Sequence, residues 1–400
     1  MDKVVLAYSG GLETTAAIHW LKHTRHLNVI ALAVNVGQGS DLDVVAERAL
    51  AAGAAGVHVV DLRRTFLKKF CWKALKAAAK YEDRYFMSAA LSRPLIATEA
   101  VRLAQDEGVK MIAHAAPPRG NDQFRLECSV AALAPDIEIV APLREWKMKT
   151  REEVRNYAQK NGLDVDAKSN DQYTRDLNLW GARCSGGNLR ESHEAANADA
   201  FVMTRDPLQA PEQYRDVTVS FIKGEPAKVD GERLESIELV EKLNALGGEH
   251  GVGRLETIEH SLMGFKIREV YEAPAATILH CAHDALERLV LDKDTLIFKR
   301  TTAPVYASAV YQGAWFSTLR EGLDAFVQTT QEYVTGDITV RLYKGSATAI
   351  SGDSEFSTYD REAVSFDKLG GSLPKGAAEG MLTIHRMLQL NRSFKQRPRL

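Results

Sequence analysis

The first 165 residues alternate short apolar runs with segments of helical spacing, and this alternation restricts the fold more than any other feature of the chain. The strand-like runs, among them VVLAYS, VIALAVNVG and GVHVVDL, are rich in Val, Ile and Leu, and amphipathic stretches separate them. This order is typical of parallel strands joined by crossover helices, which cover both faces of the sheet. We therefore predict an α/β domain with a doubly wound parallel sheet.

The second part of the chain changes character after about Asp166, where Gly, Asn and Pro become more frequent. Shorter strand candidates follow in YRDVTVSFIKG, TLIFKR, APVYASAVYQGAWF and DITVRLYKGSATAIS. They predict a mixed α+β domain, and the last stretch, AAEGMLTIHRMLQLNRSFKQRPRL, predicts a helix followed by a basic arm. Because 400 residues exceed the usual span of one hydrophobic core, we place domains at 1–165 and 166–370, and a helical tail at 371–400.

Composition argues against several classes of protein. A formal net charge of −2 gives no general attraction to nucleic acid or to an anionic membrane, and no apolar segment is long enough to span a bilayer. The chain begins without a charged leader and an apolar core, so we expect a cytoplasmic protein. Its four cysteines lie far apart and predict free thiols. His280, Cys281 and His283 share a helical stretch without further ligands, so we predict no metal site there.

The most distinctive short motif is Ser9-Gly10-Gly11, which lies between the first strand and the first helix. Two glycines let the backbone turn and approach a ligand closely, and the start of a helix offers free N–H groups and a positive dipole end. The motif therefore predicts a phosphate-binding loop. A tight turn capped by Ser9 or Thr14 is the alternative. The position at the carboxyl end of a parallel strand favours ligand binding.

The longer stretch AYSGGLETT resembles the pyrophosphatase loop of the N-type ATP pyrophosphatases, whose pattern is Ser-Gly-Gly-x-Asp-Ser/Thr, with Glu13 in place of the Asp. The segments VNVGQGSDL, YEDRYFMSAALSRPLIA, RGNDQFRLE, HGVGRLETIEHSLMGFKIREVYEAP and DAFVQTTQEYVTGDITVRLYKG follow in the order and spacing of the argininosuccinate synthetase family. This resemblance covers nearly the whole chain. It implies a HUP-like nucleotide-binding domain, a synthetase and oligomerisation domain, a homotetramer, and the use of ATP and Mg²⁺.

The resemblance also implies a reaction, that of an AMP-forming carbon–nitrogen ligase of arginine biosynthesis. In the family, ATP adenylylates the ureido oxygen of citrulline, pyrophosphate leaves, and the amine of aspartate displaces AMP. ATP binding is implied for Ala7, Tyr8, Ser9, Gly10, Gly11, Glu13, Thr14, Val34 and Gly120, and substrate binding for Tyr85, Ala90, Pro117, Asn121, Asp122, Arg125, Thr174, Arg183, Glu259 and Tyr271. Catalytic roles are implied for Ser9, Asp122 and Arg125. Taken singly, each residue has an ordinary structural alternative, but their joint spacing favours the functional one.

Several positions depart from the family pattern, and many of them lie in the substrate pockets. Pro117 and Pro118 replace a Thr and a Gly, which removes a hydroxyl group and two N–H donors. Ala90 and Arg183 replace serines, and the Arg183 guanidinium is expected to pair with a substrate carboxylate. These changes predict the family chemistry with an altered substrate preference. A nucleotide-binding homologue without catalysis is the alternative, and the acidic charge and dispersed cysteines argue against a tRNA thiolase.

Overall fold

The apolar runs of the first part form a parallel sheet in the computed structural model, which describes residues 2–165, 172–363, 374 and 376–396. Its strands are β1 (Lys3–Ala7), β2 (Asn28–Asn35), β3 (Gly56–Asp61), β4 (Met111–His114) and β5 (Glu138–Val140). They lie in the order β3-β2-β1-β4-β5, and each pairing is parallel. The order reverses between β1 and β4, so the loops after these two strands leave the sheet side by side. The predicted α/β class is confirmed.

Helices cover both faces of this sheet. They are α1 (Leu12–Thr24), α2 (Leu42–Ala51), α3 (Arg63–Phe66), α4 (Trp72–Lys76), α5 (Ser88–Asp106), α6 (Asn121–Leu133), α7 (Pro142–Glu145) and α8 (Arg151–Lys160), with a π-helical turn at Leu67–Cys71. Val4 and Leu6 of β1 pack in one core with Ile18 of α1, whereas Val5 packs in another with Leu95 of α5. Successive side chains of a strand point to opposite faces, so the sheet is doubly wound as predicted.

The second part is built around antiparallel sheets. Its strands are β6 (Tyr173–Asn178), β7 (Gly181–Gly186), β8 (Arg215–Ile222), β9 (Glu225–Val229), β10 (Glu232–Arg233), β11 (Arg254–His260), β12 (Lys266–Glu272), β13 (Gly336–Tyr343) and β14 (Ser346–Asp353). One sheet has the order β11-β12-β7-β6 and the other the order β10-β9-β8-β13-β14. The helices are α9 (Ser236–Glu249), α10 (Pro274–Val290), α11 (Lys293–Tyr311) and α12 (Thr318–Thr330), with 3₁₀ turns at Gly187–Arg190, Ala198–Ala200 and Pro207–Gln209.

One hydrophobic core connects the parallel sheet to the antiparallel sheets. Trp72 and Leu95 belong to the same buried cluster as Val217, Leu279 and Val340. Accordingly, Met1–Phe356 forms one compact unit, and Ser357–Leu400 forms a second that contains α13 (Ala377–Gln396). The terminal helix is thus present as predicted. The predicted domain boundaries at 165/166 and 370/371, and the end of the basic arm, involve residues outside those described.

Two segments predicted as strands are helical. TLIFKR lies in α11, and APVYASAVYQGAWF forms the end of that helix and the turn after it. The carboxylate of Asp292 caps the helix, because it accepts hydrogen bonds from the N–H groups of Asp294 and Thr295, both at 3.0 Å. The helix also buries Tyr306 and Tyr311. This cap and this packing outweigh the preference of the β-branched and aromatic residues for a strand.

The remaining sequence predictions concern thiols, metals and membranes. Cys71, Cys128, Cys184 and Cys281 are all free. His283 lies on α10 and its Nε2 is 2.8 Å from Oε1 of Gln331, and burial lowers the pKa of this imidazole to about 4. In the part of the chain that the structure describes, no helix is both long and apolar enough to cross a membrane.

Candidate active site

The loop after β1 has the geometry expected of an anion seat. Gly10 has a φ of +79°, and a Cβ atom placed on it would lie 3.0 Å from Cγ2 of Val45. Gly11 precedes α1 with an extended backbone and no side chain to cap the helix, so the first N–H groups of α1 stay available to a ligand. The Ser9 hydroxyl lies 3.2 Å from that of Thr14, and Nη1 of Arg48 donates to the carbonyl of Gly10 at 2.9 Å.

Other residues predicted for ATP binding have partners inside the protein. Ala7 ends β1 between strands β2 and β4. Tyr8 is buried with its hydroxyl 3.0 Å from that of Thr15, and Val34 is a core residue of β2. Glu13 forms an ion pair with Arg151 of α8, with 3.3 Å between Oε1 and Nε. The extra methylene of this glutamate, compared with the Asp of the family pattern, therefore extends toward a second helix.

The loop after β4 leads directly into α6 and presents Asn121, Asp122 and Arg125. Each carboxylate oxygen of Asp122 accepts a hydrogen bond at 2.8 Å, one from Arg93 and the other from Arg125. Burial alone would raise the pKa of Asp122, but the charges of Arg93, Arg125 and Arg183 hold it well below its usual value. An ionised carboxylate with two guanidinium partners is suited to hold charge and is a poor proton acceptor near neutral pH.

The antiparallel sheet β11-β12-β7-β6 supplies a second set of site residues through its strand register. Asp176 is paired with Arg183, and Arg183 with Tyr271. Residues paired in register and residues two apart on one strand share a face of the sheet. The predicted residues of these strands, Thr174, Arg183, Glu259 and Tyr271, therefore share one face with Asp176 and Glu269, which the sequence analysis did not select.

Arg183 already has a partner on this face. Its Nη2 and Nε donate to the two carboxylate oxygens of Glu269, at 2.6 and 3.1 Å. Glu269 is buried, so its charge needs this guanidinium. Two nitrogen atoms of the Arg183 guanidinium are thus used within the protein, and the pairing of Arg183 with a substrate carboxylate stays a prediction.

Glu259 is a second buried carboxyl group of this face. It is 2 % exposed, and its Oε1 accepts hydrogen bonds from the hydroxyl groups of Tyr271 at 2.9 Å and Tyr311 at 2.8 Å. Burial raises the pKa of Glu259 from 4.5 to about 6, although both tyrosine hydrogen bonds favour the ionised form. Tyr271 in turn stacks on Tyr85, with 3.9 Å between ring centroids.

Hydrogen bonds and ring contacts thus bring together a central group of predicted residues: Tyr85, Asn121, Asp122, Arg125, Glu259 and Tyr271. The other predicted residues lie less centrally. Ala90 is fully buried in α5, Thr174 is exposed on the edge strand β6, and Pro117 is exposed in the loop before α6. The N–H of Gly120 is used inside that loop, where it donates to the carbonyl of Pro117 at 2.9 Å.

Besides Asp176 and Glu269, sequence reasoning missed three residues that contact this group, namely Arg93, Tyr81 and Tyr311. Arg93 and Tyr81 lie in the quoted segment YEDRYFMSAALSRPLIA, next to residues that were selected. Tyr311 lies in the segment wrongly predicted as a strand, which hid its position at the end of a helix. Glu82, Asp83 and Met87 have φ values of 48°, 60° and 60°, so the backbone between Tyr81 and α5 is unusual for residues other than glycine.

The described residues do not form a metal cage. No group of three or more His, Cys, Asp or Glu side chains within them is arranged to hold an ion. The carboxylate of Glu13 is paired with Arg151, and that of Asp122 with Arg93 and Arg125. These groups do not fit a protein-bound Mg²⁺, an ion that enzymes commonly bind through nucleotide phosphates.

Comparison with known proteins identifies the family. The arginosuccinate synthase N-terminal HUP domain matches residues 3–164, and the arginosuccinate synthase C-terminal domain matches residues 173–391. The argininosuccinate synthase of Carboxydothermus hydrogenoformans is 42% identical over 397 residues, which cover 99% of each chain. The chain belongs to the argininosuccinate synthase family. It is therefore a carbon–nitrogen ligase by family, and the loops after β1 and β4 lie in the HUP domain of that family.

Further relatives agree with this assignment. The argininosuccinate synthase of Moorella thermoacetica is 43% identical over 96% of this chain and 94% of its own. That of Chlorobaculum parvum is 43% identical over 96% of both chains. The similarity thus extends through the argininosuccinate synthase HUP domain and the domain that carries β6 to β14.

Proposed function

We propose that the chain joins a citrulline-like ureido acceptor to an amine such as aspartate, with cleavage of ATP to AMP and pyrophosphate. One observation supports this above the others. Asn121 and Arg125 follow the strand beside the Ser9–Gly11 loop, and hydrogen bonds connect them through Tyr311 to Glu259 on the antiparallel sheet. The Ser9–Gly11 loop and the segment from Asn121 to Arg125 thus follow two adjacent strands of the parallel sheet. Glu259 lies on the antiparallel sheet that Tyr311 connects to this segment.

The proposed chemistry has two steps. The ureido oxygen attacks the α-phosphorus of ATP, a P–O bond forms, and the bond to the β-phosphate oxygen breaks to release pyrophosphate. The amine nitrogen, in its neutral form, then attacks the ureido carbon and gives up a proton to solvent, the C–O bond breaks, and AMP leaves with the former ureido oxygen. The Ser9–Gly11 loop and the first N–H groups of α1 hold the phosphates. Glu259 in its ionised form holds the ammonium group of the acceptor, and Asp122 accepts a hydrogen bond from the neutral amine of the donor.

The altered substrate preference rests on two changes. Pro117 and Pro118 lack N–H groups, and the N–H of Gly120 is used within the turn, where it donates to the carbonyl of Pro117. Ala90 has no hydroxyl to offer and is fully buried. Each lost hydrogen bond to a charged group costs roughly 1.5–3 kcal/mol, so we infer weaker use of aspartate and citrulline than is typical of the family.

Steady-state pyrophosphate release with citrulline and aspartate tests this proposal. We expect measurable release that requires an acceptor, and a lower KM for aspartate in the double variant Pro117→Thr, Pro118→Gly. Turnover at the level of the named relatives by the unaltered protein would refute the altered preference. Intact ATP binding without cleavage, over a panel of ureido and guanidino acceptors, would instead indicate a homologue that has lost catalysis.

We also propose a homotetramer in which α13 packs on another copy of the chain. The helix carries exposed Met381, Ile384, Met387 and Leu388, each between 58% and 65% accessible in the single chain. Their spacing gives the helix an apolar side that a second copy would bury. We retain the division into domains at 1–165, 166–370 and 371–400 as part of this proposal, with ATP as a substrate and Mg²⁺ entering on its phosphates.

A further inference from the structure

Tyr311 lies at the end of α11 and contacts three of the residues predicted to bind substrate. Its hydroxyl donates to Oε1 of Glu259 at 2.8 Å and accepts a hydrogen bond from Nδ2 of Asn121 at 2.9 Å. Its backbone carbonyl accepts a hydrogen bond from Nε of Arg125, also at 2.9 Å. With 1% exposure, the side chain is a buried connection between α6 and the antiparallel sheet.

The ring of Tyr311 is also in contact with neighbouring side chains. It stacks on Tyr81 with 3.5 Å between centroids and 4° between planes. The guanidinium carbon of Arg125 lies 4.6 Å from the ring centroid, within the range of a cation–π contact. Contacts on the ring, the hydroxyl and the carbonyl together leave Tyr311 one orientation.

Gly313 explains how the end of α11 approaches α6 so closely. It has a φ of +80°, and a Cβ atom placed on it would lie 2.8 Å from Cα of Arg125. A side chain at this position would force the two backbones apart. The contact between Tyr311 and Arg125 is therefore built into the turn that ends the helix.

We propose that Tyr311 is a positioning residue for the ligation, because its hydroxyl joins Asn121 on the amine-donor side to Glu259 on the acceptor side. This inference rests on the proposed function for the identity of the two substrates. The hydrogen bonds run from Asn121 to Tyr311 and from Tyr311 to Glu259, so each bond strengthens the next. The main chain N–H of Leu262 completes the chain by donating to Oδ1 of Asn121 at 3.0 Å.

The charged and titratable groups around Glu259 determine how its pKa responds to loss of the Tyr311 hydroxyl. Tyr271 and Tyr311 donate to the carboxylate, Arg183 favours its ionised form, and Glu269 and burial oppose it. Tyr81 is a further titratable neighbour. Removing the Tyr311 hydroxyl leaves one donor fewer for the ionised form, so the pKa of Glu259 rises further. Asn121 loses the acceptor of its Nδ2 at the same time and keeps the hydrogen bond from the N–H of Leu262 to its Oδ1.

The test compares three substitutions of tyrosine by phenylalanine in the full chain. Tyr311→Phe keeps the ring and the carbonyl and removes both links. Tyr271→Phe removes a donor to Glu259 and leaves Asn121 untouched. Tyr306→Phe is the matched control, because it lies on the same helix and its buried hydroxyl donates to Asp324 at 2.7 Å, away from the site. Thermal unfolding checks that all three proteins fold.

Two readouts are used. The first is a ¹³C NMR titration of the Glu259 carboxyl group, assigned by its disappearance in Glu259→Gln. We expect its midpoint to move upward in Tyr311→Phe and in Tyr271→Phe, and to stay unchanged in Tyr306→Phe. The second is the KM for each substrate. We expect Tyr311→Phe to raise KM about tenfold for both citrulline and aspartate, and Tyr271→Phe to raise it mainly for citrulline.

The outcomes separate this inference from the proposed function. If the titration midpoint of Glu259 is the same in Tyr311→Phe and Tyr306→Phe, the Tyr311 hydroxyl does not act on Glu259 and the inference fails. This result does not depend on whether the protein has activity. A midpoint that moves while both KM values match those of Tyr306→Phe would overturn the positioning role. If the unaltered protein joins no acceptor to an amine, the proposed function fails. The role of Tyr311 is then decided by calorimetry, because positioning of Glu259 requires weaker citrulline binding in Tyr311→Phe than in Tyr306→Phe.

Discussion

Glu259 shows how the surroundings of a single residue set its chemistry. The side chain is buried on β11, where loss of solvent raises its pKa to about 6, and two tyrosine hydroxyl groups hold the ionised form in place. A carboxyl group on the surface would stay ionised throughout the neutral range and well below it. Burial moves the titration of this group close to neutral pH, where we expect it to affect substrate binding.

We predict that the affinity for citrulline falls about tenfold for each pH unit below about pH 6. The sign follows from the charge. Protonation removes the negative charge that faces the ammonium group of the acceptor, so the loss occurs on the acid side. Calorimetry with citrulline between about pH 5 and pH 8 measures it, with Glu259→Gln as the control, which should be weak and independent of pH. The same slope in both proteins would assign the titration to another group.

The two glycines of the phosphate loop are predicted to differ in their tolerance of a side chain. Gly10→Ala places a Cβ atom 3.0 Å from Val45 on a backbone with a φ of +79°, so ATP binding should be lost. Gly11→Ala is the matched control. A Cβ atom there meets only the Ser9 hydroxyl at 3.5 Å, and the main chain N–H remains. Equal ATP affinities in calorimetry would remove the loop from the nucleotide site.

At the scale of helices and strands, Arg93 connects three elements. It lies on α5, donates to Asp122 of α6, and forms an ion pair with Asp176 of β6. About 16% of its side chain is exposed, so these charges are largely shielded from water. Arg288 of α10 instead pairs with Asp284 at the surface, where the two side chains are 55% and 48% exposed.

Loss of these two arginines should therefore differ in its effect on stability. Arg93→Ala leaves two carboxylates short of a partner, and we expect the free energy of unfolding to fall by about 3 kcal/mol. Arg288→Ala breaks a pair that is exposed to solvent, so its effect should stay below about 1 kcal/mol. Urea denaturation of both variants measures the difference. Equal effects would mean that Arg93 does not connect α5 to the site.

The helices and strands also show which features of the fold and the site can be predicted from sequence. The parallel sheet was predictable because its strands are apolar runs and its helices are amphipathic. The face formed by Arg183, Glu269 and Tyr271 was not, because it depends on the register between strands distant in sequence. Tyr311 was missed because local β preference hides a helix that its cap and its packing stabilise. The resemblance to a family identified single site residues, but it did not identify the side chains that form hydrogen bonds with them, such as Glu269 with Arg183.

At the scale of the whole molecule, one core joins the two parts of the chain up to Phe356, whereas the terminal unit carries a helix with exposed apolar residues. The sequence of the last stretch predicted this helix, and its apolar side is the feature that an assembly would bury.

Assembly should depend on that side of α13. We expect light scattering to show a tetramer for the unaltered chain and a smaller species for Ile384→Asp combined with Met387→Asp, because two charges would enter an apolar interface. Gln389→Asp combined with Ser393→Asp adds the same charges to the polar side and should leave the tetramer intact. A monomer in every case, or a tetramer that survives deletion after Gly380, would contradict the proposal.

In the proposed reaction the ureido oxygen of the acceptor becomes an oxygen of AMP, and an ¹⁸O label on that oxygen shows whether this transfer occurs. Citrulline labelled with ¹⁸O in its ureido group is incubated with ATP, aspartate and the unaltered protein, and AMP and pyrophosphate are analysed by mass spectrometry. We expect one ¹⁸O atom in each AMP formed and none in pyrophosphate. Unlabelled AMP, or ATP cleavage that does not require the acceptor, would contradict the proposed reaction.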